Sequence, residues 1–159
     1  MKLYHGSNVT VERPMILPEG RALDFGNGFY LTSSEKQASS WARTVTRRRH
    51  TATPILNIYD MPEDAFGVLD VLRFESANED WLDFIVANRK RLPLAGKHDV
   101  VIGPVANDST LPVINEYMSG GYPKHVAIEL LLPQNLTDQF AFLTPRALGH
   151  LRFEGGVAL

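Results

Sequence analysis

The side chains able to do chemistry in this chain are few, and none is a cysteine. Disulfides, thiolate metal sites and thiol nucleophiles are thereby excluded. His5 stands beside two small residues, Gly6 and Ser7; Tyr30 and Trp41 carry flat aromatic surfaces; Gln139 opens an alternating apolar stretch; Asp99 and Asp108 flank Gly103-Pro104. Taken singly, each has an ordinary structural explanation. A strand histidine can be a satisfied core or surface side chain, Gly26 and Gly28 turn glycines, and Trp41 a core aromatic. The carboxylates can face a cleft from the loop after a buried strand, or Asp99 can cap a turn and Asp108 the next helix. Glu129 and Glu154 are weaker acid candidates. His50, His98, His125 and His150 lack paired helical spacing with a carboxylate partner, so no metal site is expected. Gly26-Asn27-Gly28 is too short for a dinucleotide or phosphate loop and lacks the lysine or helix-opening glycine that would follow.

The elements that must position these residues are readable from periodicity and breakers. Lys2 to His5 reads as a strand running into a tight turn at Gly6-Ser7, and Pro14, Pro18 and Gly20 mark a loop. Asp24 to Gly28 is turn chemistry, left by a short strand at Phe29 to Thr32. Ser33 or Ser34 caps a helix with Glu35 in its first turn and Ala38, Trp41, Ala42 and Val45 along one face. Pro54 to Tyr59 is strand-like, and Ser76 is a plausible cap for a helix through Trp81 and Val86. Val100-Val101-Ile102 has the pattern of a buried strand. Leu111 to Met118 and His125 to Leu132 read as helices, Gln139 to Leu143 as a strand, and Pro145 to Leu151 as a short helix. Strands and helices mix without a βαβ repeat, and no internal repeat or linker divides the chain. The expectation is a single α+β domain over residues 1–159.

Tyr4-His5-Gly6-Ser7 followed by Asp24-Phe25-Gly26-Asn27-Gly28-Phe29-Tyr30-Leu31-Thr32 resembles the histidine and tyrosine motifs of poly(ADP-ribose) polymerases and diphtheria-type toxins. These form the His-Tyr-Glu branch of the ADP-ribosyltransferase superfamily. More closely, the chain resembles a bacterial ADP-ribosyltransferase-like family long described as a domain of unknown function. The resemblance extends through Trp81-Leu82-Asp83-Phe84, Asn88-Arg89, Asp99 to Pro104 and Gln139 to Phe142, covering nearly the whole chain. It implies a split, mixed and antiparallel sheet with peripheral helices. NAD is then a substrate rather than a hydride carrier, cleaved to nicotinamide with transfer of ADP-ribose to a protein or nucleic-acid acceptor. A bacterial toxin with a neutralising antitoxin is the implied setting. The superfamily's second aromatic follows its tyrosine by eleven positions, which here is Trp41, so Tyr30 and Trp41 are expected to clamp nicotinamide. His5 is expected to bond a ribose hydroxyl, Gly6 and Ser7 to meet the carboxamide, and Gly28 to belong with them to the cofactor-binding set. The third motif departs from the pattern, with Gln139 where a glutamate is usual. Glutamine can hold a ribose hydroxyl but carries no charge and is no base. The alternative readings are therefore a catalytically weak NAD- or ADP-ribose-binding module and an NAD glycohydrolase.

Hydrophobic content of 44% and charged content of 21% are ordinary globular values, and a net charge of −2 produces no global basic field. Without an apolar run of membrane length or a secretory leader, a cytoplasmic protein with no membrane partner is expected. One local exception is the run Arg43, Arg47, Arg48, Arg49 and His50. It reads either as a solvated helix end or as a contact for cofactor phosphates or a polyanionic acceptor.

Overall fold

A computed structural model describes residues 1–18, 23–92 and 98–159; Gly20, which the sequence places in the first loop, lies outside them. The described strands form two sheets. β1 (Lys2–Ser7), β3 (Ile55–Asp60) and β7 (Arg152–Ala158) make an antiparallel sheet in the order β1-β3-β7. The second sheet has the order β2-β6-β5-β4, built from β2 (Phe29–Leu31), β6 (Asp138–Phe142), β5 (Val100–Pro104) and β4 (Val71–Arg73). Only β4 and β5 run parallel. Among the described residues five α-helices complete the α+β arrangement: α1 (Glu35–Arg48), α2 (Glu79–Arg89), α3 (Leu111–Met118), α4 (Lys124–Leu131) and α5 (Pro145–Leu148). None of the described helices is long and apolar enough to cross a membrane.

Strand alternation sorts the core into two layers. On β5, Val100 and Ile102 face one layer and Val101 the other; on β6, Phe140 and Phe142 oppose Ala141. The first layer joins these side chains to Leu3, Phe29, Leu31 and Tyr59, filling the space between the two sheets. The second joins Phe25, Val101 and Ala141 to Trp81, Leu82 and Ile85 of α2, with Ile114, Ala127 and Leu131 from α3 and α4. A four-stranded sheet covered on both faces explains the continuous apolar run at Val100 to Ile102.

Local chemistry sets the helix ends. The Ser34 hydroxyl accepts the Gln37 N–H at 3.2 Å and starts α1, while Arg47 and Arg48 occupy its last turn, where the helix dipole favours cations. The cap of α2 is Asn78, which accepts the Trp81 N–H at 3.0 Å, and not Ser76 as expected. A cap must bond the N–H two or three residues on, and Ser76 stands too far upstream. α5 stops at Leu148, short of the Leu151 expected. β1 continues straight through Gly6 and Ser7, paired with Leu56 and Ile55, where the sequence suggested a turn. β4 and β7 were not foreseen. β4 has three residues, and β7 is an edge strand with Gly155 and Gly156 and mostly exposed side chains, which erase the alternation that periodicity detects.

Candidate functional site

The two sheets touch at one backbone bridge, Tyr4 to Thr32, with N–H to O distances of 2.9 and 3.0 Å. Past it β1 and β2 diverge, leaving the Tyr30 carbonyl without a strand partner on that side. The His5 side chain fills the gap: its Nδ1 lies 2.8 Å from the Tyr30 carbonyl oxygen. A carbonyl can only accept, so Nδ1 donates. Burial holds the His5 pKa below the usual histidine value, opposed in part by this bond. The neutral ring is left with Nε2 as a hydrogen-bond acceptor. His5 packs against Phe29 with ring centroids 4.3 Å apart, which fixes its plane.

The split opens a cleft of about 900 Å³, within the size range of cofactor pockets. β1 contributes Tyr4, His5 and Gly6, β2 contributes Phe29 to Leu31, α1 contributes Gln37 and Trp41, and the far wall holds Gln139 and residues 105–108. Of the residues singled out from the sequence, His5, Gly6, Gly28, Tyr30, Trp41 and Gln139 all line this cleft. Ser7 is apart from it, buried at the end of β1, where its hydroxyl accepts the Val9 N–H at 3.4 Å.

Each side chain has a structural cause for its position. A Cβ on Gly6 would lie 2.0 Å from the Ala38 carbonyl oxygen and 2.7 Å from the Ala42 nitrogen. The glycine is therefore required for α1 to pack on β1, through the small buried stripe Ala38, Ala42 and Thr46. Trp41 is not a core residue: it is 49% exposed, with the Arg48 guanidinium 5.5 Å above its ring. The Tyr30 hydroxyl donates to the Gly26 carbonyl at 2.7 Å and accepts the Phe25 N–H at 3.0 Å. Burial pushes its pKa far up, so it stays protonated and tethers the 24–28 turn. Gly26, at φ 104°, permits that turn.

Residues the sequence reading left without a role hold the same wall. Asp24 pairs with Arg89 Nε at 2.6 Å, both side chains largely buried, and Asn88 Nδ2 donates to the Asp24 carbonyl at 3.0 Å. The i+1 pair at the end of α2 thus anchors the turn that Tyr30 grips. Gln37 also went unnoticed, although it shares a helical stripe with Trp41 four residues on.

Gln139 is only 8% exposed, and its Nε2 has no hydrogen-bond partner among the described residues. Gln37 Oε1 is likewise buried and unpartnered. An unmet donor and an unmet acceptor therefore belong to two residues that line one cleft, each costing about 1–3 kcal/mol if left dry. A ligand with both functions would satisfy them. The neighbouring carboxylate does not line the cleft. Asp138 points to the other face of β6, where it accepts the Thr32 hydroxyl at 3.0 Å, the Ser33 N–H at 2.8 Å and the Ser33 hydroxyl.

Of the two aspartates considered as acids, Asp99 lies outside the cleft. It accepts the Thr144 hydroxyl at 2.6 Å and the Asp70 N–H at 3.0 Å and pairs with Arg146 at 3.3 Å. These bonds, the Thr144 hydroxyl foremost, hold its carboxyl below the usual range. Asp108 does line the cleft, exposed and with no ion pair among the described residues. It does not cap α3, because Asn107 Oδ1 takes the Ser109 and Thr110 N–H groups at 3.0 and 3.2 Å. Glu154 pairs with Lys2 at 3.3 Å, and Glu129 is exposed on α4; neither lines the cleft. Among the described residues no three His, Asp or Glu side chains gather to hold a metal.

The family described as "Protein of unknown function (DUF3990)" matches residues 1–153. No curated protein and no solved structure matches the chain. The family match takes in every cleft residue named above and stops two residues into β7, and the chain belongs to the DUF3990 family.

Proposed function

We propose that this protein is a mono-ADP-ribosyltransferase that binds NAD in the cleft at the sheet split. The observation that carries the reading is the buried, unpartnered Gln139 amide in the same cleft as His5, Tyr30 and the exposed Trp41. Nicotinamide lies between the Tyr30 and Trp41 rings, and the Arg48 guanidinium sits 5.5 Å over the Trp41 ring. His5 Nε2 accepts a ribose hydroxyl, a role that needs the neutral ring its burial enforces. Gln139 Nε2 donates to the ribose from the other wall. Lys36 and Arg48, also lining the cleft, are the cations available to the diphosphate.

In the reaction, the bond from ribose C1′ to the nicotinamide nitrogen breaks, and its electron pair leaves with the neutral ring. The acceptor bonds to C1′ and gives up a proton. Gln139 cannot take that proton, and Asp24 is committed to Arg89. Asp108 is the cleft carboxylate without an ion pair among the described residues, and we assign it that step.

A second reading is a binding module of weak catalysis, favoured by the absence of a carboxylate at position 139. Incubating the protein with NAD and measuring nicotinamide separates the two. Release that depends on Tyr30 and Gln139 supports the transferase, and saturable NAD binding without release supports the module. If NAD neither binds nor is cleaved, both readings fail. Transfer to a macromolecule, as opposed to hydrolysis, is read from label retained after NAD with a labelled phosphate is mixed with cell extract.

A further inference from the structure

α1 carries more positive charge than its packing or its dipole explains. Residues 35–49 hold five of the chain's sixteen lysines and arginines against one acid, Glu35 in the first turn. All five, Lys36, Arg43, Arg47, Arg48 and Arg49, are exposed, and none forms an ion pair among the described residues. The dipole accounts for cations in the last turn. It opposes Lys36 in the first turn and is indifferent to Arg43. Helical geometry places Lys36, Ser40, Arg43 and Arg47 on one outward stripe about 16 Å long, next to the cleft stripe of Gln37, Trp41, Thr44 and Arg48. Lys36 and Ser40 belong to both, so the basic stripe borders the cleft mouth.

We infer that this stripe docks single-stranded nucleic acid, and that a base presented beside it is the ADP-ribose acceptor. This deepens the transferase reading and rests on it. The stripe is arginine-dominated, and the guanidinium fork suits phosphate oxygens. In a chain whose net charge is −2, such local charge selects a polyanion at one face. A base can enter a cleft walled by α1 residues only after leaving its stack, which costs least in a single strand. A base nitrogen attacks ribose C1′, nicotinamide departs with the electron pair of the broken bond, and the nitrogen's proton passes to Asp108 and then to water.

The test uses the full chain and a labelled single-stranded oligonucleotide of mixed sequence, as DNA and as RNA, without NAD, between about 50 and 200 mM salt. Each phosphate contact in a single strand contributes about 0.7 to the slope of log affinity against log salt, or roughly fivefold at 0.1 M. The double variant Arg43→Gln/Arg47→Gln should lower the slope by about 1.4 and weaken binding roughly 25-fold. Its melting temperature and its nicotinamide release from NAD alone should match wild type, since neither arginine lines the cleft. With labelled NAD added, the oligonucleotide should gain nuclease-sensitive label in wild type and far less in the variant. An unchanged slope, or competition by polyglutamate as effective as by the oligonucleotide, overturns the docking inference. Nicotinamide release with docking but an unlabelled oligonucleotide overturns the base as acceptor. Docking that depends on these arginines with no nicotinamide release under any condition refutes the transferase reading and leaves the docking strip standing.

Discussion

Exchanging the Gln139 amide for a carboxylate separates chemistry from binding at one atom. Gln139→Glu keeps the side-chain shape, removes the unpartnered donor and places a negative charge where a ribosyl cation would develop. A full unit charge about 5 Å from that cation is worth about 3 kcal/mol at the effective dielectric of a protein site. Gln139 is only 8% exposed, so part of this is lost to desolvation of the carboxylate. Recovering half to most of it raises nicotinamide release about ten- to a hundredfold. Gln139→Ala, which removes the hydroxyl contact, should lower release instead. The assay is nicotinamide release from NAD for wild type and both variants, with folding checked by thermal melting. Equal rates in all three folded proteins would show that Gln139 does not touch the reacting ribose, and the assignment of the third motif would fall.

Gly6→Ala forces a Cβ to 2.0 Å from the Ala38 carbonyl oxygen, so α1 must move off β1; a loss of about 3 kcal/mol in stability is expected, and an unchanged melting temperature would refute the packing account. His5 in the folded state binds a proton less readily than in the unfolded chain, which therefore takes up protons first as pH falls below about 6.5. Stability should decline with acidification through that range and be flatter in His5→Gln; an NMR titration of His5 at or above the ordinary histidine value would sink this. Asp108→Asn should cut transfer to the acceptor about a hundredfold while leaving nicotinamide release within a few-fold, because only the acceptor's proton needs the carboxylate. Equal loss of both would place Asp108 in NAD binding. Tyr30→Phe keeps the clamp ring but drops the hydroxyl's two bonds to the 24–28 turn. It should cost about 1–2 kcal/mol in stability and raise the KM for NAD, whereas a purely local hydroxyl would leave KM unchanged.

Regular elements with a strong period were legible. Helix α1 with its serine cap, the buried strand at Val100 to Ile102, helix α3 and the strand at Gln139 follow from patterns that a sequence carries locally. The weak elements were not: β4 is three residues long, and β7 pairs through its backbone at an edge while its glycines and exposed side chains show no face. The family resemblance singled out His5, Gly28, Tyr30, Trp41 and Gln139, and these do share one cleft. It did not reveal that packing also requires Gly6, because the backbone of α1 that excludes a Cβ there arrives from more than thirty residues away.

The sequence by itself determined the inventory: no thiol, no charge at position 139, a basic segment after Trp41, and a mixed α+β chain of one-domain size. Those are matters of composition and short-range period, which need no partner element to be read. Only the tertiary structure decided which polar groups are free. Asp99 is spent on Thr144 and Arg146, Asp24 on Arg89 and Asp138 on Ser33, while Asp108 and the amides of Gln37 and Gln139 have no ion-pair or hydrogen-bond partner among the described residues at those atoms. Whether a group is committed depends on what meets it across the fold, and the pairings of Asp24 with Arg89 and of Asp138 with Ser33 join residues that no local pattern connects.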